Sequence, residues 1–435
     1  MSAPSDLSDP ARLSARDACD AIRAGRLAPA LLLEACLDRI AGRDATVRAW
    51  AYLDPALPRA ERPAAGTLSG LPVGVKDIIE TADMPTACGS PIYKGRQTRR
   101  DAACVAALRA AGGVVMGKTA TTEFAAFTPT TTRNPHDHTR TPGGSSSGSA
   151  AAVADFQVPL AIGTQTAGSI LRPAAFCGVV GYKPSFGTID TAGMQPFAAS
   201  LDTLGVFART VSDAGLFAAT LSNWRALANA QPVPPIRVRL IPAPAWDRAT
   251  PAALAALTNA ASRIADAGVT VDDSPLRDDL AEELAVLLEA QERILFCEAR
   301  RALAWERAQH ADCLSPGLRA HLESVANLPF EVLQRARRLQ AEGQRRIAAQ
   351  MTEGEIWLTL PATGEAPEGT ATGDPVFCRV WTALHLPAIS LPHGRGPAGM
   401  PLGLQLVGRP GDDPALLSAA AWLEGHLDPA GAPGA

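Results

Sequence analysis

The sequence predicts an α/β protein, and three observations carry that reading. Short β-branched apolar runs alternate with segments whose apolar residues recur at helical spacing. At 47% hydrophobic, a chain of 435 residues can bury a large core, so wholesale disorder is excluded. No window reaches about 18 uninterrupted apolar residues, so no membrane span is expected.

Taken in order, residues 7–45 read as helical: LSARDACDAIRAGRLAPALLLEACLDRI keeps the helical period, with breaks at Gly25 and Pro29. LPVGVKDIIE (71–80) is a short β-branched run ending in charge, as a buried strand would look. DAACVAALRAA (101–111) is a helix stopped by Gly112 and Gly113, and Val114-Val115-Met116 is then a strand. Residues 128–149 are rich in Thr, Pro, Gly, Ser and Asn and form a long loop. AAAVADF follows as a small-residue helix and VPLAIGT as a strand. From about 245 to 350 the character changes to long, charged, amphipathic helices. Strand character returns at LTLPAT (358–363) and LPAISLPHG (386–394), which favours an insertion packed on one sheet over a separate helical domain. Residues 430–435 are expected to form a frayed tail, and no internal repeat is evident.

Charge and thiol usage narrow the function classes. Forty basic residues against 44 acidic ones, a net charge of −4, leave no basic excess for a nucleic-acid face. Only Lys76, Lys94, Lys118 and Lys183 are lysines; the other 36 basic residues are arginine. Arginine stays protonated in proteins, whereas a buried lysine can be driven neutral and act as a base. The four lysines are therefore the cations to inspect. The beginning, MSAPSDLSDPARLSARDAC, lacks a positive segment followed by an apolar run and is not read as a secretory signal. Eight scattered cysteines without a C-x-x-C pair read as buried thiols in a reducing cytoplasm, not as disulfides or a zinc site.

Three local patterns fit motifs formally and fail on context. Gly112 to Thr119 matches G-x-x-x-x-G-K-[ST], but a helix precedes it and its interior, Val-Val-Met, favours a strand over a phosphate loop. Gly144-Ser145-Ser146-Ser147-Gly148 matches G-x-S-x-G with Ser146 as nucleophile, but no strand leads into it. Nothing marks His385, His393 or His426 as its partner. His136-Asp137-His138 lacks a third ligand at local spacing, so no metal is expected.

The informative stretch is 141–187, TPGGSSSGSAAAVADFQVPLAIGTQTAGSILRPAAFCGVVGYKPSFG. It holds eight of the chain's 37 glycines, which allow positive φ and close backbone approach. Two Gly/Ser turns, at 143–149 and 166–169, bracket a helix and a strand, an arrangement able to bring two serines over one pocket.

These segments, with VGVKDIIETADMPT upstream and GKTATTEFA, LDTLGVFAR and GMPLGLQLVG elsewhere, resemble the amidase signature family. The resemblance spans the chain, with the 245–350 helices least diagnostic. It implies a mixed twisted sheet surrounded by helices, in one amidase domain over 1–435 with a variable helical insertion at about 245–350. It implies a cytoplasmic, cofactor-free amide C–N hydrolase working through an acyl-enzyme. Residue by residue, it implies a catalytic triad of Lys76, Ser145 and Ser169, with Ser145 following a cis peptide after Gly144. The backbone N–H groups of Thr166, Ala167, Gly168 and Ser169 are implied as the oxyanion hole. The physical logic agrees: a serine hydroxyl needs an adjacent base, and a desolvated lysine relaying through Ser145 supplies one. Pro173 suits the first turn of a helix and Gly178 its end, which puts Ser169 near a helix N-terminus.

The departures from the family pattern T-D-x-G-G-S-I-R are specific. Gln165 replaces an acid, Ala167 and Ser147 replace glycines, and Arg172 falls three residues after Ser169 instead of two. TQT-x-GS followed by x-x-R-P-A-A is similar to malonamidase-like members, where that arginine serves a substrate carboxylate. A structural arginine bonding nearby carbonyls is the other reading. Lys118 and Lys183 are expected to be scaffold residues, Lys94 solvated, and Cys177 a buried apolar thiol. The expected partner is a small-molecule amide or carbamate, with no nucleic acid and no membrane, and a homodimer is compatible with this reading. Ester, urethane or urea-type substrates on the same triad, and the A component of a tRNA-dependent amidotransferase, stand as alternatives, and a nucleotide-binding protein using Gly112 to Thr119 is the remoter one from a different class.

Overall fold

The structure is a computed structural model, and it describes residues 8–61, 65–275 and 278–433. The first residue of the expected 7–45 helical region and the last two of the expected 430–435 tail lie outside them.

Eleven strands form one mixed sheet: β1 (Trp50–Tyr52), β2 (Pro72–Lys76), β3 (Val114–Thr119), β4 (Leu160–Gln165), β5 (Val180–Lys183), β6 (Thr203–Ala208), β7 (Arg237–Leu240), β8 (Thr270–Asp272), β9 (Glu355–Thr359), β10 (Ala388–Arg395) and β11 (Pro401–Val407). Their spatial order is β1-β3-β2-β4-β6-β5-β10-β11-β9-β7-β8. β3, β2 and β4 run parallel to one another, and so do β9, β7 and β8; the strands between are antiparallel. β2, β3, β4 and β6 are buried along their whole length, which is why they read as continuous apolar runs without alternation.

The helical expectations hold with small shifts. Ala15–Arg23 and Pro29–Val47 flank the break at Gly25 and Pro29, and Ala103–Ala110 ends just before Gly112. Helix Leu171–Cys177 ends at Gly178, whose φ of 66° is the left-handed value that glycine tolerates. Helix Ser147–Ala154 is fully buried because all but one of its residues are Ser, Ala or Gly. At Gly148 a Cβ would stand 2.1 Å from the Ala49 carbonyl oxygen and 2.3 Å from the Ala120 nitrogen, so glycine alone permits this approach.

The 245–350 stretch is not wholly helical: Thr270–Asp272 pairs with β7 as an edge strand. Its long helices, Asp278–Ala302 and Phe330–Gln350, pack on each other, and the first also packs on helix Val376–Ala383. Leu280, Leu284, Ile294, Leu333 and Ile347 on these helices belong to the same buried cluster as the strands of the sheet. Among the described residues no helix is long and apolar enough to cross a membrane.

Candidate active site

The parallel strands β2 and β4 lie side by side, so their carboxyl ends open at the same edge, where ligands of α/β sheets gather. Lys76 is the last residue of β2 and is fully buried. Its Nζ lies 2.7 Å from Ser145 Oγ and 2.7 Å from Thr164 Oγ1 of β4. Among the described residues two hydroxyls and no carboxylate are in hydrogen-bond contact with it. Burial holds its ammonium well below the usual lysine range, and the carboxylate of Asp202 pulls the other way.

The serine run sorts itself by hydrogen bonding. Ser145 follows a cis peptide after Gly144 and faces Lys76. Ser146, by contrast, donates to the Thr164 carbonyl at 3.2 Å, Ser147 to Gly143 at 2.8 Å and Ser149 to Ile162 at 3.0 Å. Ser146 thus turns its hydroxyl into the sheet, and the nucleophile-elbow pattern has no elbow geometry.

Beyond β4 the chain turns through Thr166, Ala167, Gly168 and Ser169. None of these four backbone N–H groups has an acceptor among the described residues. The Ser169 hydroxyl likewise has no partner among them, and the residue is 8% exposed. The structure therefore brings Lys76 and Ser145 into direct contact and sets Ser169 in a turn of free N–H donors, without a hydrogen bond between the two serines. Such consecutive free donors suit a developing oxyanion.

Gln165 explains its own departure from an acid. Its Oε1 accepts from the N–H groups of Ile170 (2.9 Å) and Leu171 (3.1 Å), the work a carboxylate oxygen would do at this helix start. Its Nε2 donates to Thr382 Oγ1 at 3.0 Å, which a carboxylate cannot do. The amide meets both demands without burying a charge.

Arg172 is fully enclosed. Its Nη2 donates to the Gly144 carbonyl at 2.6 Å, as a structural arginine would, yet its Nε and Nη1 are buried with no partner among the described residues. Burial depresses its guanidinium to about 10.

Asp202 is a site residue that sequence reasoning missed. It is buried, accepts from Thr166 Oγ1 at 2.6 Å, and takes the N–H groups of Phe197 (2.8 Å) and Ala198 (3.0 Å). Burial pushes its carboxyl up to about 6. The available signal was an acid standing alone in the apolar run LDTLGVFA. Thr164 was missed too, being one of many threonines.

The remaining candidates lie elsewhere. Gly112 to Thr119 is no phosphate loop, since Val114–Thr119 is strand β3 and Lys118 is buried against Thr86 Oγ1 (2.7 Å) and Asp77 (3.3 Å). Lys183 bonds the Pro184 carbonyl, and Lys94 is exposed. His136 faces the Cys177 carbonyl, His385 that of Ser200, His393 the Asn259 side chain and His426 the Trp422 carbonyl. No cluster of metal-ligating side chains occurs among the described residues. Six cysteines, Cys177 included, are buried thiols; contrary to expectation, Cys313 is exposed and Cys297 half-buried, because both sit on the helical insertion.

Comparison with known proteins places the family and the fold. The A component of the glutamyl-tRNA(Gln) amidotransferase of Thermobifida fusca is 44% identical over 52% of this chain and 49% of its own length. In that match the chain spans about half the length of the relative. The corresponding protein of Anaeromyxobacter sp. strain K is 34% identical across 97% of this chain and 98% of its own length. The structure of a 6-aminohexanoate cyclic dimer hydrolase complexed with substrate superposes with a TM-score of 0.86 at 25% identity, covering 98% of this chain and 99% of the other. The amidase family model matches residues 31–417, and with that span the chain belongs to the amidase signature family.

Proposed function

We propose that this chain hydrolyses amide C–N bonds through an acyl-enzyme on Ser169. The observation that carries the reading is the fully buried Lys76, in contact with Ser145 and Thr164 hydroxyls and, among the described residues, with no carboxylate. A lysine held neutral there takes the Ser145 proton while Ser145 takes that of Ser169. Ser169 Oγ then bonds the substrate carbonyl carbon. The resulting oxyanion is stabilised by the free N–H groups of the 166–169 turn, each worth about 2.7–4 kcal/mol in comparable hydrolases. Collapse breaks the C–N bond, and the proton returns along Ser145 to the leaving amine. Water deacylates Ser169 by the same relay, restoring the starting protonation.

The unpartnered Nε and Nη1 of Arg172 suit a substrate bearing a carboxylate, since a buried guanidinium gains most from a charged acceptor. Carbamate, urea-type or ester groups fit the same chemistry. A second reading, the A component of an amidotransferase that passes ammonia to a partner, is favoured by the near full-length relative of that name. Both readings use the same relay and differ in what accepts the ammonia.

The test is Ser169→Ala, assayed on a panel of amides, carbamates and esters, with intact mass to catch an acyl adduct on the wild-type chain. Near wild-type turnover by the variant would sink the assignment. Turnover by the purified chain alone, without a partner or glutamyl-tRNA, decides for the hydrolase.

A further inference from the structure

Three carbonyls of the free-donor turn, those of Thr166, Ala167 and Gly168, are tied down by other residues, and one tie comes from the helical insertion. The Thr166 carbonyl accepts from Gln291 Nε2 at 3.2 Å, the Ala167 carbonyl from Thr382 Oγ1 at 2.8 Å, and the Gly168 carbonyl from the Arg172 N–H at 3.1 Å. In a trans peptide the C=O of one residue and the N–H of the next point in opposite directions within one rigid plane. Fixing the Thr166 carbonyl therefore fixes where the Ala167 N–H points, and fixing that of Ala167 does the same for Gly168.

Gln291 lies on helix Asp278–Ala302 and is fully buried. Its amide has only one workable orientation. Arg379 Nε can only donate, and sits 2.6 Å from Gln291 Oε1; the Thr166 carbonyl can only accept, and so faces Nε2. Arg379 is anchored in turn to the Leu288 carbonyl (3.2 Å) and Glu292 (3.0 Å) of the same helix. Arg379 and Thr382 both belong to helix Val376–Ala383, so two packed helices grip two successive peptide planes.

We propose that Gln291 is a positioning residue for the oxyanion hole: held by Arg379, it sets the Thr166–Ala167 peptide plane and so aims the Ala167 N–H at the reacting carbonyl. The inference rests on the hydrolase reading above. It assigns to the helical insertion a part in transition-state stabilisation.

The test uses the full chain. Gln291→Met keeps the side-chain length without a donor, and Gln291→Glu keeps the acceptor for Arg379 but turns a carboxylate oxygen towards the carbonyl. Arg379→Met, at a less buried position, frees the Gln291 amide to rotate and covers the case in which a Gln291 variant misfolds. For the Gln291 variants kcat is expected to fall about 10²-fold, the scale for one mis-aimed oxyanion donor, with KM changed by no more than about threefold. Arg379→Met follows in the same direction with a smaller loss. Affinity for a boronic-acid inhibitor, which forms a tetrahedral oxyanion, falls in step with kcat/KM, whereas a merely structural role leaves that affinity unchanged once the chain is folded. Wild-type turnover with folded Gln291 and Arg379 variants within about threefold of it overturns this inference alone. A wild-type chain with neither amide turnover nor a Ser169 adduct overturns both readings.

Discussion

Replacing Asp202 with asparagine separates the electrostatic role of this carboxylate from its hydrogen bonds. The amide oxygen can accept from the Phe197 and Ala198 N–H groups, and the amide nitrogen can donate to Thr166 Oγ1, so each contact keeps a workable partner. What disappears is a buried charge. Burial raises the Asp202 carboxyl from an ordinary 3.8 to about 6, with Glu298 adding in the same direction and its hydrogen bonds opposing. The folded chain therefore binds more protons than the unfolded chain between about pH 4 and 6, and stability falls as pH rises through that window. At 1.36 kcal/mol per unit, the cost of holding the charge is about 3 kcal/mol and is fully expressed above about pH 6. Asp202→Asn is then expected to be more stable than wild type by up to about 3 kcal/mol at pH 8, with the gain gone below about pH 4. Urea unfolding at a series of pH values measures it. The same variant loses the carboxylate that favours protonated Lys76, so the acid limb of kcat/KM moves to lower pH. A variant less stable than wild type at pH 8, or an acid limb that stays put or moves to higher pH, would refute the reasoning.

Three further outcomes follow from the geometry. Lys76→Met fills the slot with a neutral chain and is expected to lose about 10²–10⁴ in kcat/KM while remaining folded; a variant within tenfold of wild type would remove the lysine from the relay. Ser146→Ala loses the bonds its hydroxyl makes to the carbonyl and the N–H of Thr164, about 1–2 kcal/mol of stability in a urea melt, and keeps its turnover; an inactive variant would revive the elbow reading. Arg172→Met is expected to lower the preference for a carboxylate-bearing amide over its neutral analogue by about 10–10²-fold, read as a ratio of kcat/KM values so that any general loss from freeing the Gly144 carbonyl cancels.

The strands that build the site were legible because they are buried on both faces and short, as LPVGVK and VPLAIGT show. Glycine punctuation placed the ends of the 103–110 and 171–177 helices within a residue or two. The edge strand Thr270–Asp272 was not legible, since three half-exposed residues between two long helices carry neither period nor burial. Gln291 and Asp202 escaped for a different reason. Their roles rest on contacts made 125 and 36 residues away, with backbone and hydroxyl groups that any sequence supplies. A helix pattern reports which face is apolar, and a buried glutamine on that face looks like a defect until its two partners are known.

The scarcity of lysine takes on a physical meaning in this light. Three of the four lysines are fully buried, and each is partnered by hydroxyl or carbonyl oxygens, with Asp77, on Lys118, the one carboxylate in contact among the described residues. A guanidinium in such a slot would bring five donors to the one, two or three acceptors shown for Lys183, Lys76 and Lys118, leaving buried N–H groups unpaired at about 1–3 kcal/mol each. An ammonium or amine is compact enough to be satisfied there. Arginine otherwise serves partly or fully exposed positions and ion pairs such as those of Arg109, with Arg172 the buried exception, and lysine persists at the other buried cation positions. That criterion selects Lys76, Lys118 and Lys183 alike. Among the described residues only Lys76 has an oxygen partner in a hydroxyl that follows a cis peptide, next to a turn of N–H donors without acceptors, and it is there that the proposed relay would use the loss of a proton.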